Sequence, residues 1–530
     1  MLRDLPQGDR ISSQSQTIFA GLNHTAAAGD GEFFAMENLS GELFPLLSSR
    51  RARSREQQLR QANGLYAKEK LAWVEGENFY YDGEYIGPVS DGPKTFASLG
   101  YFLLIFPDKK YFLTNWSSGN LYDRFGDLEA SYSGSAGGIR FHDGEYAGAA
   151  AAANSISTSG AAFPFRVGDA ISISGCSKQP ENNKTPIIQE ISEDGKTLRF
   201  YANIFVLPQD ADSYTEPGQI LLKRSVPDMD CFCENENRLW GLKGKEIFSC
   251  KLGDPFNWNV FAGLSTDSYS VATGTDGDFS AAVSHLGYPV FFKPDAIHKI
   301  YGSKPSNFQV IHSANMGIAA DSGKSPAIVG NTLYYLSESG VVAYQGGIPS
   351  LIDQALGGQF HAGIGGTDGK HYYISMVDEK EKRRLFVYDP GRNFWHEEDD
   401  PGIQAMANLG PRLYFLTEDS IWLARGADYS GVNWSAETGD FTDAHFGKKI
   451  VGPYLYLRYM LAPDAEMEVF ISYEGGAWQS LGRIRGEGKK QSRRLASIPA
   501  RCDHYRLRFE GSGEMQIYSL SRDRAAGSAV

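Results

Sequence analysis

The sequence predicts an all-β chain: a β-propeller of six or seven blades with an inserted small β-barrel-like domain and a C-terminal β-sandwich. Three observations predict it: a composition rich in aromatics and glycine, an apolar hairpin pattern that recurs along the chain, and no long apolar period of 3.6 residues. Of 530 residues 13% are aromatic, 28 are Tyr and 59 are Gly, which suits many short strands joined by tight turns. A chain of this length forms two to four domains, or one large repeat domain with attachments. Helices are expected to be few and short.

Residues 1–60 hold few periodic apolar stretches and end in the basic run Ser48-Ser49-Arg50-Arg51-Ala52-Arg53-Ser54-Arg55. They read as an extended N-terminal arm, either an assembly arm lying on a neighbouring subunit or a solvated leader. The first blades are expected over 61–130. There Lys70-Leu71-Ala72-Trp73-Val74 turns into Phe79-Tyr80-Tyr81, and Tyr101 to Phe106 turns into Tyr111-Phe112-Leu113, each an apolar run, a polar turn and a second apolar run. Residues 131–226 interrupt the series. A Gly-, Ala- and Ser-rich stretch that includes Ala149 to Ala153 is followed by strand-like Phe165 to Gly175 and Leu198-Arg199-Phe200, which reads as the inserted β-domain.

The remaining blades are expected over 227–445. Their hairpins are Arg238-Leu239-Trp240-Gly241 with Glu246-Ile247-Phe248, Pro289 to Phe292 with Ile297 to Tyr301, and Leu333 to Leu336 with Val341 to Tyr344. His371 to Ser375 with Leu385 to Tyr388, and Leu413 to Leu416 with Ile421-Trp422-Leu423, complete the series. The spacing of about 40 to 50 residues is that of one four-stranded blade, and radial repetition protects sheet edges. Residues 446–530 form the last module, starting at about Phe446, with alternating strands at Tyr454 to Tyr459, Met467 to Tyr473, Tyr505 to Phe509 and Met515 to Tyr518, the pattern of a β-sandwich of jelly-roll type.

The formal charge of −13 opposes a surface built to hold nucleic acid, since phosphate neutralisation needs clustered Lys and Arg. DNA passing nearby would not be gripped specifically. The start lacks an apolar export segment, and no run reaches the length of a membrane span. Five cysteines without regular spacing suit assembly in a reducing cytoplasm, with Cys176, Cys250 and Cys502 as small core residues.

Catalytic signatures are absent. No nucleophile elbow and no His-Glu-x-x-His occurs. Gly323-Lys324-Ser325 ends like a phosphate-binding loop, but Ile318 stands where that loop needs glycine and no helix signal follows. Ser192-Glu193-Asp194-Gly195-Lys196-Thr197 and Ser472 to Trp478 resemble sialidase boxes with the spacing one residue short, and read as hairpin turns. Cys231-Phe232-Cys233 puts two thiols on one strand face without the further ligands a structural zinc needs. The acidic run Trp395-His396-Glu397-Glu398-Asp399-Asp400 could hold calcium or act as a carboxylate pair; after the turn-rich Tyr388 to Asn393 it reads first as a loop joining blades. No catalytic, cofactor-binding or metal-ligating residue is assigned.

Asn235-Glu236-Asn237-Arg238-Leu239-Trp240-Gly241 through Lys251-Leu252-Gly253-Asp254-Pro255-Phe256-Asn257-Trp258 resembles the propeller proteins of tailed bacteriophages. The likeness continues in Val290 to Lys293 with Ile297 to Gly302, Pro305 to Phe308, and Leu333 to Ser337 with Gly340 to Gly346. It extends to the opening Asp30 to Phe34 with Glu37 to Ser40 and Phe44 to Ser48, and to Ile498-Pro499-Ala500-Arg501 and Gly511-Ser512-Gly513. The insert is matched least. The chain is similar to tail-region proteins of phages of low-GC Gram-positive bacteria, and more distantly to the packaged-DNA-stabilising tail-hub propellers of short-tailed phages.

The resemblance implies a non-enzymatic structural component of the virion, assembled in the host cytoplasm and placed in the tail, tail hub or head-to-tail neck around the DNA passage. Its expected partners are other phage tail or neck proteins and copies of itself in a homo-oligomeric ring, with no cofactor, no membrane and no specific nucleic-acid binding. An acidic lumen would let DNA slide. The rival reading is a carbohydrate-binding or carbohydrate-cleaving propeller such as a phage receptor-binding protein, because exposed Tyr and Trp stack on sugars. A WD-repeat scaffold ranks last, since its Gly-His and Trp-Asp signatures do not recur.

Overall fold

The computed structural model describes residues 11–120, 122–142, 155–201, 204–209, 211–442, 448–497 and 500–529. Ala149 to Ala153, Phe446 and Ile498-Pro499 lie outside them. The chain is all-β; its helical elements among the described residues are two single 3₁₀ turns, Pro180–Asn182 and Pro305–Asn307. It divides into two compact units, Ala72–Ala320 and the combination of Met1–Leu71 with Asp321–Val530.

The Ala72–Ala320 unit opens with strand Asn78–Tyr81, which pairs with residues 72–75 and with Glu84–Pro88. A four-stranded antiparallel meander follows, Thr95–Leu99, Phe102–Phe106, Lys110–Leu113 and Phe125–Asp127. Two more come after residue 230. One runs through Cys231–Asn235, Arg238–Lys243, Glu246–Ser249 and Tyr269–Ala272, the other through Ala281–His285, Tyr288–Lys293, Ala296–Tyr301 and Gln309–Ala314. The turns fit the twist of the strands. Asp82-Gly83 and Leu286-Gly287 have positive φ at both positions (51° and 83°, 53° and 80°), the geometry of a two-residue type I′ hairpin.

Between these meanders, from Ala130 to Arg224, stand two small sheets. One orders Ala130–Ser133, Leu221–Arg224 and Ser172–Ser174; the other orders Ile188–Ile191, Thr197–Phe200, Ser155–Thr158, Ile139–His142 and Ser213–Thr215. They share one apolar core that includes Phe141, Ile156, Ile173, Phe200 and Leu222.

The second unit holds three meanders. The first joins Ala327–Val329, Thr332–Ser337, Gly340–Tyr344 and Ser350–Leu351, the second Phe360–Thr367, Tyr372–Asp378, Arg383–Asp389 and Phe394–Glu398. The third joins Ala405–Leu409, Arg412–Leu416 and Ser420–Leu423, and takes its fourth strand, Ser54–Gln58, from near the N-terminus.

Residues 11–60 therefore differ from the expected extended arm. Ile11–Gln16 pairs with Met515–Ala529, Glu32–Glu37 with Asn433–Thr438, and Leu47–Ser49 with Met515–Ala529. The physical reason is backbone pairing: polar strands such as Ser54–Gln58 carry no apolar alternation, and their hydrogen bonds are made with partners hundreds of residues away.

These N-terminal strands enter a sandwich. Its first sheet continues from Phe394–Glu398 through Gly21–Leu22, Glu32–Glu37, Asn433–Thr438, His504–Ser512, Glu466–Tyr473 and Gln479–Arg485. The second orders Leu39–Ser40, Leu47–Ser49, Met515–Ala529, Lys448–Leu461 and Lys490–Arg494. Leu455, Leu457, Met467, Val469, Leu507, Phe509 and Ile517 are buried in one core, supplied by every second residue of their strands as a two-sided sheet requires.

Candidate functional site

Register across the first sheet of the sandwich creates the candidate site. Glu37 lies opposite Ser435, Ser435 opposite Glu510, Glu510 opposite Glu468, and Glu468 opposite Arg483. Facing residues of antiparallel strands point the same way, so these side chains form a row on the solvent face while Met36, Ala436, Phe509, Val469 and Ile484 point into the core. The row floors a groove of about 600 Å³ that also takes in Asn38, Arg50, Asp399, Asn433 and Glu466.

Arg483 lies 3.6 Å from Glu466 and 3.1 Å from Glu468. Arg508 reaches Glu437 at 3.3 Å and Glu510 at 3.4 Å. Hydrogen bonds from Ser480 and Arg483 hold the Glu468 carboxyl below its ordinary value. The groove is lined by the carboxylates of Glu37, Glu466, Glu468, Glu510 and Asp399 with the guanidinium groups of Arg50 and Arg483 among them, a surface that accepts hydrogen bonds and carries an excess of acidic groups.

The acidic run at 395–400 is an ion-pair clamp. Glu397 takes two 2.6 Å bonds from Arg384. Glu398 accepts from Arg53 at 3.0 Å and lies 3.6 Å from Arg50, while Asp399 meets Arg50 at 2.5 Å and Arg53 at 3.0 Å. Asp400 accepts from the Ser375 hydroxyl and from the Gly402 and Ile403 N–H groups. Burial raises the Asp399 carboxyl, but Arg53 and Arg50 outweigh it and leave it below the ordinary value. Arg50 and Arg53 of the basic run and Glu398 and Asp399 of the acidic run, read separately from sequence, are each other's partners.

Two of the buried histidines, one of them within this acidic run, have lowered pKa values. His396, packed edge-on to Phe394, has its pKa pushed down to about 3 by burial, then by His371 and Arg425; His298 is pushed down to about 4 by burial, then by Lys293 and His312. Each stays neutral when folded and titrates near 6.5 when unfolded. Their contribution is therefore complete above pH 6.5 and is lost as pH falls toward the folded value. Each unit holds one, and each is expected to lose about 3 kcal/mol between pH 6.5 and 4 from this source. Chemical denaturation at stepped pH reads the loss, and His298→Phe flattens the profile of its unit.

The other motifs are structural in place. In Gly323-Lys324-Ser325 the Ser325 carbonyl accepts from the Tyr372 hydroxyl at 2.9 Å and its Oγ from the Leu336 N–H at 3.0 Å. Residues 192–197 close a turn in which the Gly195 and Thr197 N–H groups bond Ser192. In 472–478 the Ser472 hydroxyl bonds the Gly476 carbonyl, and Arg508 lies over the Trp478 ring. Cys231 donates to the Ser280 carbonyl, and burial pushes its thiol up to about 11 and that of Cys176 up to about 12. Cys233, Cys250 and Cys502 are buried. Among the described residues no three His, Cys, Asp or Glu side chains converge as a metal site, and no helix is long and apolar enough to cross a membrane.

No family model and no curated protein matches the chain. Among solved structures it is similar to a chain of a mitotic checkpoint complex, at 10% identity over 71% of this chain and 95% of that one, with a TM-score of 0.32. It is also similar to an exo-β-1,3-galactanase from Phanerochaete chrysosporium, at 9% identity over 54% and 92% with a TM-score of 0.21, and to a glycoside hydrolase, at 11% over 94% and 99% with a TM-score of 0.16. Likeness at this level assigns no activity. It does correct one expectation: with glycoside hydrolases among the similar structures, the reading of the chain as a non-enzyme is withdrawn.

Proposed function

We propose that the chain is a building block of a bacteriophage particle, in the tail, tail hub or head-to-tail neck, and that its four-stranded meanders are propeller blades. One observation carries the reading. The phrases that resemble tailed-phage propeller proteins fall, in order, on the central hairpins of successive meanders: Arg238–Lys243 with Glu246–Ser249, Tyr288–Lys293 with Ala296–Tyr301, and Thr332–Ser337 with Gly340–Tyr344. The strand Ser54–Gln58 supports it too, because it completes the meander of Ala405–Leu423 from the other end of the sequence, the device by which a radial repeat leaves no open edge. The expected partners are further tail or neck proteins and copies of the same chain in a ring.

Mass spectrometry of purified, dissociated particles tests the proposal. The chain is expected at a fixed copy number alongside tail or neck proteins. Its absence from particles, together with binding or cleavage of host-surface glycans by the free protein, transfers the chain to the carbohydrate reading.

A further inference from the structure

Residues 483–494 are unlike the rest of this acidic chain. They carry Arg485, Lys489, Lys490, Arg493 and Arg494, all exposed, against one acid, Glu487, besides Arg483, which lies in the groove of the other sheet paired with Glu466 and Glu468. The strand Lys490–Arg494 is the end strand of its sheet, paired on one side with Lys448–Leu461. Arg494 lies opposite the exposed Tyr456, and the exposed Arg458 lies opposite Ser492. Two of the cations are held in place by aromatic rings: Lys490 Nζ stands 3.7 Å from the centre of the Tyr518 ring, and Arg494 Cζ 5.0 Å from that of Tyr454. Ring contact lowers the entropy these long side chains lose on binding.

Charge on an edge strand guards against unwanted strand pairing, but a guard needs neither this density nor fixed positions. Nucleic acid fits the face poorly. The faces of Tyr454 and Tyr518 carry the chain's own cations, which leaves Tyr456 as the exposed ring of this edge for a base to stack on, and the chain as a whole carries a net charge of −13. The same net charge gives every copy of the chain an acidic surface. On the other sheet of this sandwich lies the groove in which Glu37, Glu466, Glu468, Glu510 and Asp399 outnumber Arg50 and Arg483.

We propose that the basic edge of one copy docks into the carboxylate-lined groove of a second copy. The two faces belong to opposite sheets of one sandwich, so the contact is head-to-tail and generates a ring or an open chain of copies. This contact rests on the ring of copies proposed above and names the two faces that form it; it is read on the isolated protein, so its failure is distinct from absence of the chain from particles.

Sedimentation velocity of the full chain over a range of salt tests it, with circular dichroism confirming that each variant is folded. Wild type is expected to self-associate reversibly at low salt and dissociate as salt screens the contact. Lys490→Glu with Arg494→Glu weakens association about a hundredfold, as does Glu37→Lys with Glu510→Lys. An equimolar mixture of the two variants regains association, because each supplies the face the other has reversed. If the first variant fails to fold, Lys489→Glu with Arg493→Glu on the same edge gives the same readout. A monomeric wild type at low salt, association unchanged by the reversals, or a mixture that stays monomeric overturns the proposal. Loss of random-sequence duplex DNA binding in the edge variant with association unchanged also overturns it, and assigns the face to nucleic acid.

Discussion

Asp169→Leu is expected to destabilise the Ala72–Ala320 unit by about 3–5 kcal/mol, the cost of leaving a buried charge without its partner. Asp169 and Arg224 are each 4% exposed and 2.5 Å apart. Arg224 also donates to the Leu128 carbonyl at 3.0 Å and lies over the Phe256 ring. Asp169 accepts a 3.0 Å bond from the Asn257 amide, whose oxygen in turn accepts from the Ala170 N–H. This network ties the inserted sheets to the loop after Glu246–Ser249, so its loss acts on the seating of the insert. Urea denaturation followed by circular dichroism reads the effect in the transition of that unit. Asp169→Leu with Arg224→Met is expected to recover most of the loss, because no charge is then left buried. A double variant no more stable than the single one would show that the hydrogen bonds of Asp169, rather than its charge, hold the insert.

Glu398→Ala is the second large effect, about 3 kcal/mol or more in the other unit. The Glu398 side chain is 4% exposed and faces Arg53 at 7% and Arg50 at 8%. After its removal Asp399, 43% exposed, is left to balance two buried guanidinium groups. Since Arg50 and Arg53 stand between strands Leu47–Ser49 and Ser54–Gln58, the clamp anchors the strand that completes the meander of Ala405–Leu423. Hydrogen exchange is therefore expected to speed up first in residues 54–58 and 420–423. A uniform increase across the unit would instead mean that Glu398 supports the unit as a whole rather than this strand.

The hairpins were legible in the sequence because each is a local signal. Lys70 to Tyr81 places its turn at Glu75 to Asn78, and the strands end at Glu75 and resume at Asn78; the apolar residues on both sides bury themselves, so composition and register agree. The strands of residues 11–60 were not legible. Ser54–Gln58 is exposed along nearly its whole length and belongs to its sheet through main-chain bonds to Ser420–Leu423, which no side-chain pattern announces. The groove was hidden for a related reason. Glu37, Ser435, Glu510, Glu468 and Arg483 come from five strands, and only the inter-strand register sets them in a row. The acidic run at 395–400 was visible, but its partners Arg50 and Arg53 lie some 350 residues away, so a clamp read as a loop joining blades.

Electron cryo-microscopy of intact particles tests the central claim most directly. Density in the tail or neck is expected to fit the meanders as propeller blades, in several copies about the particle axis. Particles whose tail and neck density is fully explained by other chains, with this protein left free in the lysate, would contradict it.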